Sequence, residues 1–190
     1  MGGLLGDFVK GRLQGQLPLA LEQGIWLHRQ LDAYSDRHPH FKASQARLGS
    51  DHRRIAGVLL DLMLDHFLAK HWGDFHGQPL EHYTARFYQR MAAINAPLPV
   101  NAKRWLRFAE PADLLAQYQY FEQLQPILER MDARRPRSLG LARGFDGLAE
   151  NYTLLEADFF NLMPLLHERA GELLQQLPEN FSTDAASAEQ

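Results

Sequence analysis

Asp61, Asp65 and His66 stand inside "IAGVLLDLMLDHFL", a stretch with helical spacing that is otherwise apolar almost all the way round. At about 100° per residue Asp61 and Asp65 project from one helix face, with Val58 and Leu68 beside them. An ionised carboxylate taken out of water is costly unless it is paired or coordinated, and two on one face repel. The expectation is therefore a buried cation, either a divalent metal or an arginine such as Arg29 or Arg54. His66, next to Asp65, favours the metal.

The same pattern returns in "LEQGIWLHRQLDAYSD", where His28 and Asp32 are four apart on the side of Leu21, Ile25 and Leu31. Two helices that each turn a His and an Asp toward the core suit a divalent-metal site between them. Nitrogen and oxygen ligands without sulphur fit Mn²⁺, Mg²⁺, Fe²⁺ or Zn²⁺. Asp7, in "GGLLGDFVKG", is a sixth polar group in an apolar run. The plainer reading of each feature is a hydrogen-bonded core histidine or a local i,i+4 ion pair.

The elements that must position these groups are helices, because sustained period-two runs of β-branched or aromatic residues are missing. The spacing predicts helices over 3–13, 18–34, 42–48, 51–72, 79–93, 101–108, 111–117, 120–133 and 139–175, the last broken near Gly144 or Pro164. The class is all-α, a single-domain helical bundle over residues 1–177. Residues 178–190, small, polar and acidic, read as a disordered tail.

A chain of 190 residues, 45% hydrophobic and 23% charged, has the composition of one globular domain. It contains no cysteine, which excludes thiolate metal sites, thiol nucleophiles and disulfides. With no signal-like start and no apolar run long enough to cross a membrane, a cytoplasmic protein fits best. Glycine-rich phosphate loops and nucleophile elbows do not occur.

The net charge of −3 is unevenly spread. Residues 130–143 carry five basic and one acidic side chain, whereas residues 144–190 carry one and nine. In "ERMDARRPRSLGLAR" the cluster Arg130, Arg134, Arg135, Arg137 and Arg143 reads either as a solvated helix end or as a set of donors for phosphate or an acidic protein. A pI near 6.3 argues against nucleic acid. His71 reads as a cap on last-turn carbonyls, and the remaining histidines as surface or packing residues.

Four segments in this order and at these separations, "LLGDFVKG", "GIWLHRQLDAYSD", "RRIAGVLLDLMLDHFLAKHW" and "MDARRPR", resemble the acyl carrier protein phosphodiesterases, also called acyl carrier protein hydrolases. The likeness runs to about residue 170. It implies an HD-domain-like, metal-dependent phosphohydrolase, typically using Mn²⁺, that cuts the phosphodiester between 4′-phosphopantetheine and the carrier protein's serine. Family members usually open with a further short segment rich in Asn, His and Leu, and here Met1 stands just ahead of "LLGDFVKG".

From the residues and the resemblance together, His28, Asp32, Asp61, Asp65 and His66 form the expected pool of metal ligands. Asp7 is the candidate base or water-orienting group, and Arg29 or Arg54 would brace carboxylates or meet the phosphate. Arg134, Arg135 and Arg137 would steer the acidic, helical acyl carrier protein, and an apolar trough would hold the pantetheine arm. Two other functions use the same features: an HD-like phosphohydrolase acting on a nucleotide or small phosphate ester, and a non-catalytic helical module that docks an acidic protein. Substrate tests separate the first, and indifference of the melting temperature to Mn²⁺ identifies the second.

Overall fold

A computed structural model describes residues 1–135 and 137–181. Among them every regular element is helical, as the sequence predicts. The helices are α1 (Gly2–Leu5), α2 (Leu19–Ser35), α3 (Pro39–Arg47), α4 (Ala56–Lys70), α5 (Trp72–Phe75), α6 (Leu80–Ala92), α7 (Val100–Ala109), α8 (Leu114–Gln117), α9 (Leu124–Ala133), α10 (Phe145–Glu150) and α11 (Tyr152–Leu174).

The two larger of three apolar clusters among the described residues hold most of the elements together. The larger buries Leu59, Leu60, Leu62, Met63 and Phe67 of α4 against Leu124, Ile127 and Leu128 of α9 and against Leu155, Phe159 and Leu162 of α11. The smaller joins Leu5 of α1 and Leu21 and Ile25 of α2 to Met91 and Ala102 of α6 and α7. Each fully buried large apolar side chain contributes about 1.5–3 kcal/mol relative to exposure. Helix α2 packs on α1 and α11, and α3 and α4 also pack on α11. Asp158 of α11 fixes α3 by accepting from Ser44 Oγ at 2.8 Å and Arg47 Nε at 3.0 Å.

The structure corrects three predicted boundaries. The helix expected over 3–13 stops at Leu5, and beyond it Gly11 and Gly15 adopt φ of +79° and +73° and turn the chain before α2. Buried Glu22 pins this loop by accepting from the amides of Gly15 (3.0 Å) and Leu17 (3.1 Å). The element expected over 51–72 divides into a 3-10 turn at Ser50–His52, α4 and α5. The one over 139–175 becomes a 3-10 turn at Leu141–Gly144, then α10 and α11, and α11 runs straight through Pro164. The start of the expected tail folds back on the protein: Pro178 O accepts from Gln23 Nε2 at 2.9 Å, and Phe181 joins the smaller cluster. Residues 182–190 lie outside the described residues.

Candidate active site

The N-terminal segment reaches the site through a glycine contact. A β-carbon on Gly24 would stand 2.7 Å from Gly2 Cα, so α1 lies backbone to backbone on α2. The chain leaving α1 then crosses the face of α2 that carries His28. Gly6 rests against that imidazole, and Asp7 follows directly.

His28 Nε2 lies 3.1 Å from Asp32 Oδ2 and 3.5 Å from Asp7 Oδ1. The three groups border an open cleft of about 390 Å³, together with Gly6, Val9, Lys10, Gly11 and Arg29. Contact with the Asp7 carboxylate raises the His28 pKa, against the desolvation that lowers it, and the charges of Asp32 and Asp65 add to the rise. Desolvation raises Asp32, its neighbours Asp7 and Asp36 raise it further, and His28 opposes them.

Asp61 and Asp65 of α4 face the same region. Both are pushed up to about 7, first by desolvation and then by surrounding carboxylates, which for Asp61 include Asp32, Asp36 and Asp7 and for Asp65 include Asp61 and Asp7. The sequence expectation placed these acids inside the apolar core. They are instead solvent-accessible side chains, crowded by protein but open to water, so the cost of holding them is less than full burial demands.

His66 does not join them, and its expected role as a metal ligand is corrected. Its ring is buried on the opposite side of α4, with Nδ1 2.7 Å from Tyr118 O and Nε2 2.8 Å from Tyr152 Oη. Nδ1 donates to the carbonyl, so Nε2 accepts from the tyrosine hydroxyl and has no lone pair left for a metal. Burial accordingly lowers the His66 pKa.

Arg29 also departs from its expected role. Its guanidinium donates to Val9 O at 2.7 Å and Gly11 O at 2.8 Å, anchoring the loop that carries Asp7 rather than bracing a carboxylate. Arg54 is exposed, and among the described residues no carboxylate pairs with it. The ring of His71 meets Glu156 Oε1 at 2.7 Å instead of capping carbonyls.

Arg134, Arg135 and Arg137 are all exposed, and Arg134 lies over the ring of Phe108. Asp132 shapes this region by accepting from Ser138 Oγ and from the amides of Leu139 (2.7 Å) and Gly140 (3.0 Å). Sequence reasoning missed Gly6, Asp36, Tyr118 and Asp132. Only Asp36 carried a usable signal, standing four residues after Asp32 in "LDAYSD".

The donor set suits a hard divalent cation. Asp7 and Asp32 contact the His28 imidazole, Asp36, Asp61 and Asp65 lie within electrostatic reach of these carboxylates, and none of the five forms an ion pair with a Lys or Arg among the described residues. As placed, no three His, Asp or Glu side chains among the described residues come close enough together to hold a metal ion. The chemistry of the donors, oxygen and nitrogen without sulphur, fits such an ion.

Comparison with known proteins supplies the last observation. The family model described as acyl carrier protein phosphodiesterase matches residues 1–166. The acyl carrier protein phosphodiesterase of Serratia proteamaculans is 32% identical over 173 residues, which is 90% of this chain and 89% of that protein. The proteins of that name from Yersinia pestis and Klebsiella pneumoniae are 33% identical over 187 residues and 30% over 164, covering 90% and 86% of this chain and 89% and 85% of their own lengths. No solved structure matches. A carboxylate-lined cleft on an all-helical fold and a family match across most of the length together show that this chain belongs to the acyl carrier protein phosphodiesterase family.

Proposed function

We propose that this protein hydrolyses the phosphodiester joining 4′-phosphopantetheine to the serine of holo acyl carrier protein, leaving the apo form, with a divalent metal, Mn²⁺ first and Mg²⁺ or Fe²⁺ next. The observation that carries the reading is the cleft bordered by Asp7, Asp32 and His28, with Asp61 and Asp65 within electrostatic reach of them and none of these carboxylates paired with an arginine or lysine among the described residues. A fold that keeps unneutralised acids together at the cost of raised pKa values is prepared for a cation.

His28, Asp32, Asp61 and Asp65 are the residues that would hold the metal. When bound, it would offset charge on the phosphodiester oxygens and lower the pKa of the attacking water. Asp7 orients that water and accepts its proton at Oδ as the water oxygen bonds to phosphorus. The bond from phosphorus to the serine oxygen breaks, and that oxygen takes the proton from Asp7 and leaves as the serine hydroxyl, which returns Asp7 to its ionised form. Arg29 keeps Asp7 in place through the carbonyls of Val9 and Gly11. Arg134, Arg135 and Arg137 steer the acidic carrier protein, so the on-rate falls with salt.

The test is incubation of the purified protein with Mn²⁺ and holo acyl carrier protein, followed by mass spectrometry of the carrier. A loss equal to phosphopantetheine is expected. An unchanged carrier mass, with nucleotides hydrolysed instead, would overturn the substrate assignment.

A further inference from the structure

We infer that the docking surface for the acyl carrier protein is a composite face built from α7 and α9, with Phe108 as its apolar anchor and Arg104, Arg107, Arg130 and Arg134 around it. This rests on the proposed function and goes beyond the arginine-rich segment that follows α9.

Phe108 is a large apolar side chain 36% exposed near the end of α7, and the guanidinium carbons of Arg130 and Arg134 lie 5.2 and 5.4 Å from its ring centroid. These contacts join two basic segments that lie more than twenty residues apart in the sequence. On α7, Arg104 precedes Phe108 by one turn, and Arg107 and Lys103 continue the same solvent-facing side, opposite buried Ala102 and Ala109. Among the described residues none of these cations has a carboxylate within ion-pair distance, although Glu110 and Glu129 are their neighbours in sequence. Asp132, the remaining acid nearby, is occupied by the Ser138–Gly140 turn.

An exposed aromatic ring ringed by unpaired arginines is the composition of an interface centre, and its charge selects an acidic partner. Its position selects the carrier protein. Trp105, next to Arg104 on α7, packs on Phe8, the residue after Asp7, with ring centroids 6.3 Å apart, so α7 adjoins the loop that carries Asp7. An acidic helix seated on Phe108 would therefore have its serine-linked arm beside the acids. Arginine suits this contact better than lysine, because its flat fork stacks on the ring and still presents N–H donors to carboxylates.

Binding of fluorescently labelled apo acyl carrier protein at low salt tests the surface, with turnover of the holo form measured in parallel. Phe108→Ala is expected to raise the Kd about 10-fold, and Arg104→Glu with Arg107→Glu at least about 10-fold, with KM raised and kcat retained. Lys42→Glu, an exposed charge on α3, should leave the Kd unchanged. The arginine pair makes no core contact, so it reports on the surface even if Phe108→Ala lowers stability. If both α7 variants bind within about twofold of the parent while the parent still cleaves holo carrier, the docking surface is elsewhere and the hydrolase stands. If the parent neither binds nor cleaves the carrier, or binds a single-stranded oligonucleotide more tightly, the functional reading falls and this surface with it.

Discussion

A β-carbon placed on Gly6 would stand 2.0 Å from Cδ2 of His28, far inside contact distance, so the imidazole occupies the space that any other residue would fill. Because Asp7 is the next residue, the same contact sets the distance between Asp7 and His28 Nε2. Gly6→Ala must push the ring or the loop aside. The variant is expected to lose most of the Mn²⁺-dependent rise in melting temperature, which for an ion at 100 times its Kd corresponds to about 2.7 kcal/mol. Gly3→Ala, where nothing lies within 4 Å, should keep it. Equal Mn²⁺ shifts in both variants would remove Gly6 from the site.

Asp65 carries a pH prediction whose sign follows from its raised pKa of about 7. In the metal-free protein the folded state holds a proton on Asp65 between about pH 4 and 7 that the unfolded chain has released. Stability attributable to this group is therefore complete below about pH 4, declines as pH rises from there, and is fully lost once pH passes about 7. Asp65→Asn removes that decline. In excess chelator the variant should melt above the parent at pH 8 and close to it at pH 4, while turnover of holo carrier protein is lost. Parallel melting curves across this range would show that Asp65 is not held under electrostatic pressure.

The helical class and the paired spacing of His28 with Asp32 and of Asp61 with Asp65 were legible because both depend on local periodicity. The direction of each side chain was not. His66 follows Asp65 by 100° of helix, and that single step turns it from the cleft into the core beside Tyr118 and Tyr152. Arg29 was read as a partner for carboxylates because charge suggests charge, yet the loop built by Gly11 and Gly15 offers it two carbonyls first. Gly6 and Asp132 act through contacts set by neighbouring loops, which no window of hydrophobic spacing reports.

Tyr152→Phe separates the structural role of His66 from a ligand role. The change deletes the hydroxyl that donates to His66 Nε2 and that also accepts from Lys70 Nζ at 2.9 Å. Leaving a buried imidazole nitrogen unpartnered costs about 1–3 kcal/mol. In a chain of this size, that is a fall of roughly 2–4 °C in melting temperature for each kcal/mol. Mn²⁺ affinity, measured by calorimetry, should be unchanged within error. A large loss of affinity with no loss of stability would return His66 to the metal site.

Asp132 is a half-buried acid whose value lies in what it holds. Its carboxylate is kept below the usual range first by the Ser138 hydroxyl and then by the amide of Leu139, with Gly140 adding to the effect. A group depressed in the folded state adds stability that is complete above its unfolded value of 3.8 and is lost as pH falls through the lower folded value. The turn after α9 should thus stay closed at neutral pH and loosen only in strong acid. Asp132→Ala opens it at every pH, which can be read from faster amide exchange at Leu139 and Gly140 with core amides such as Leu128 unaffected. Because Arg134 and Arg135 border this turn, ordering them on binding then costs more, and carrier-protein affinity should fall about 3- to 10-fold. Unchanged exchange at Leu139 and Gly140 would mean that the turn closes without Asp132, and no effect on docking would then be expected.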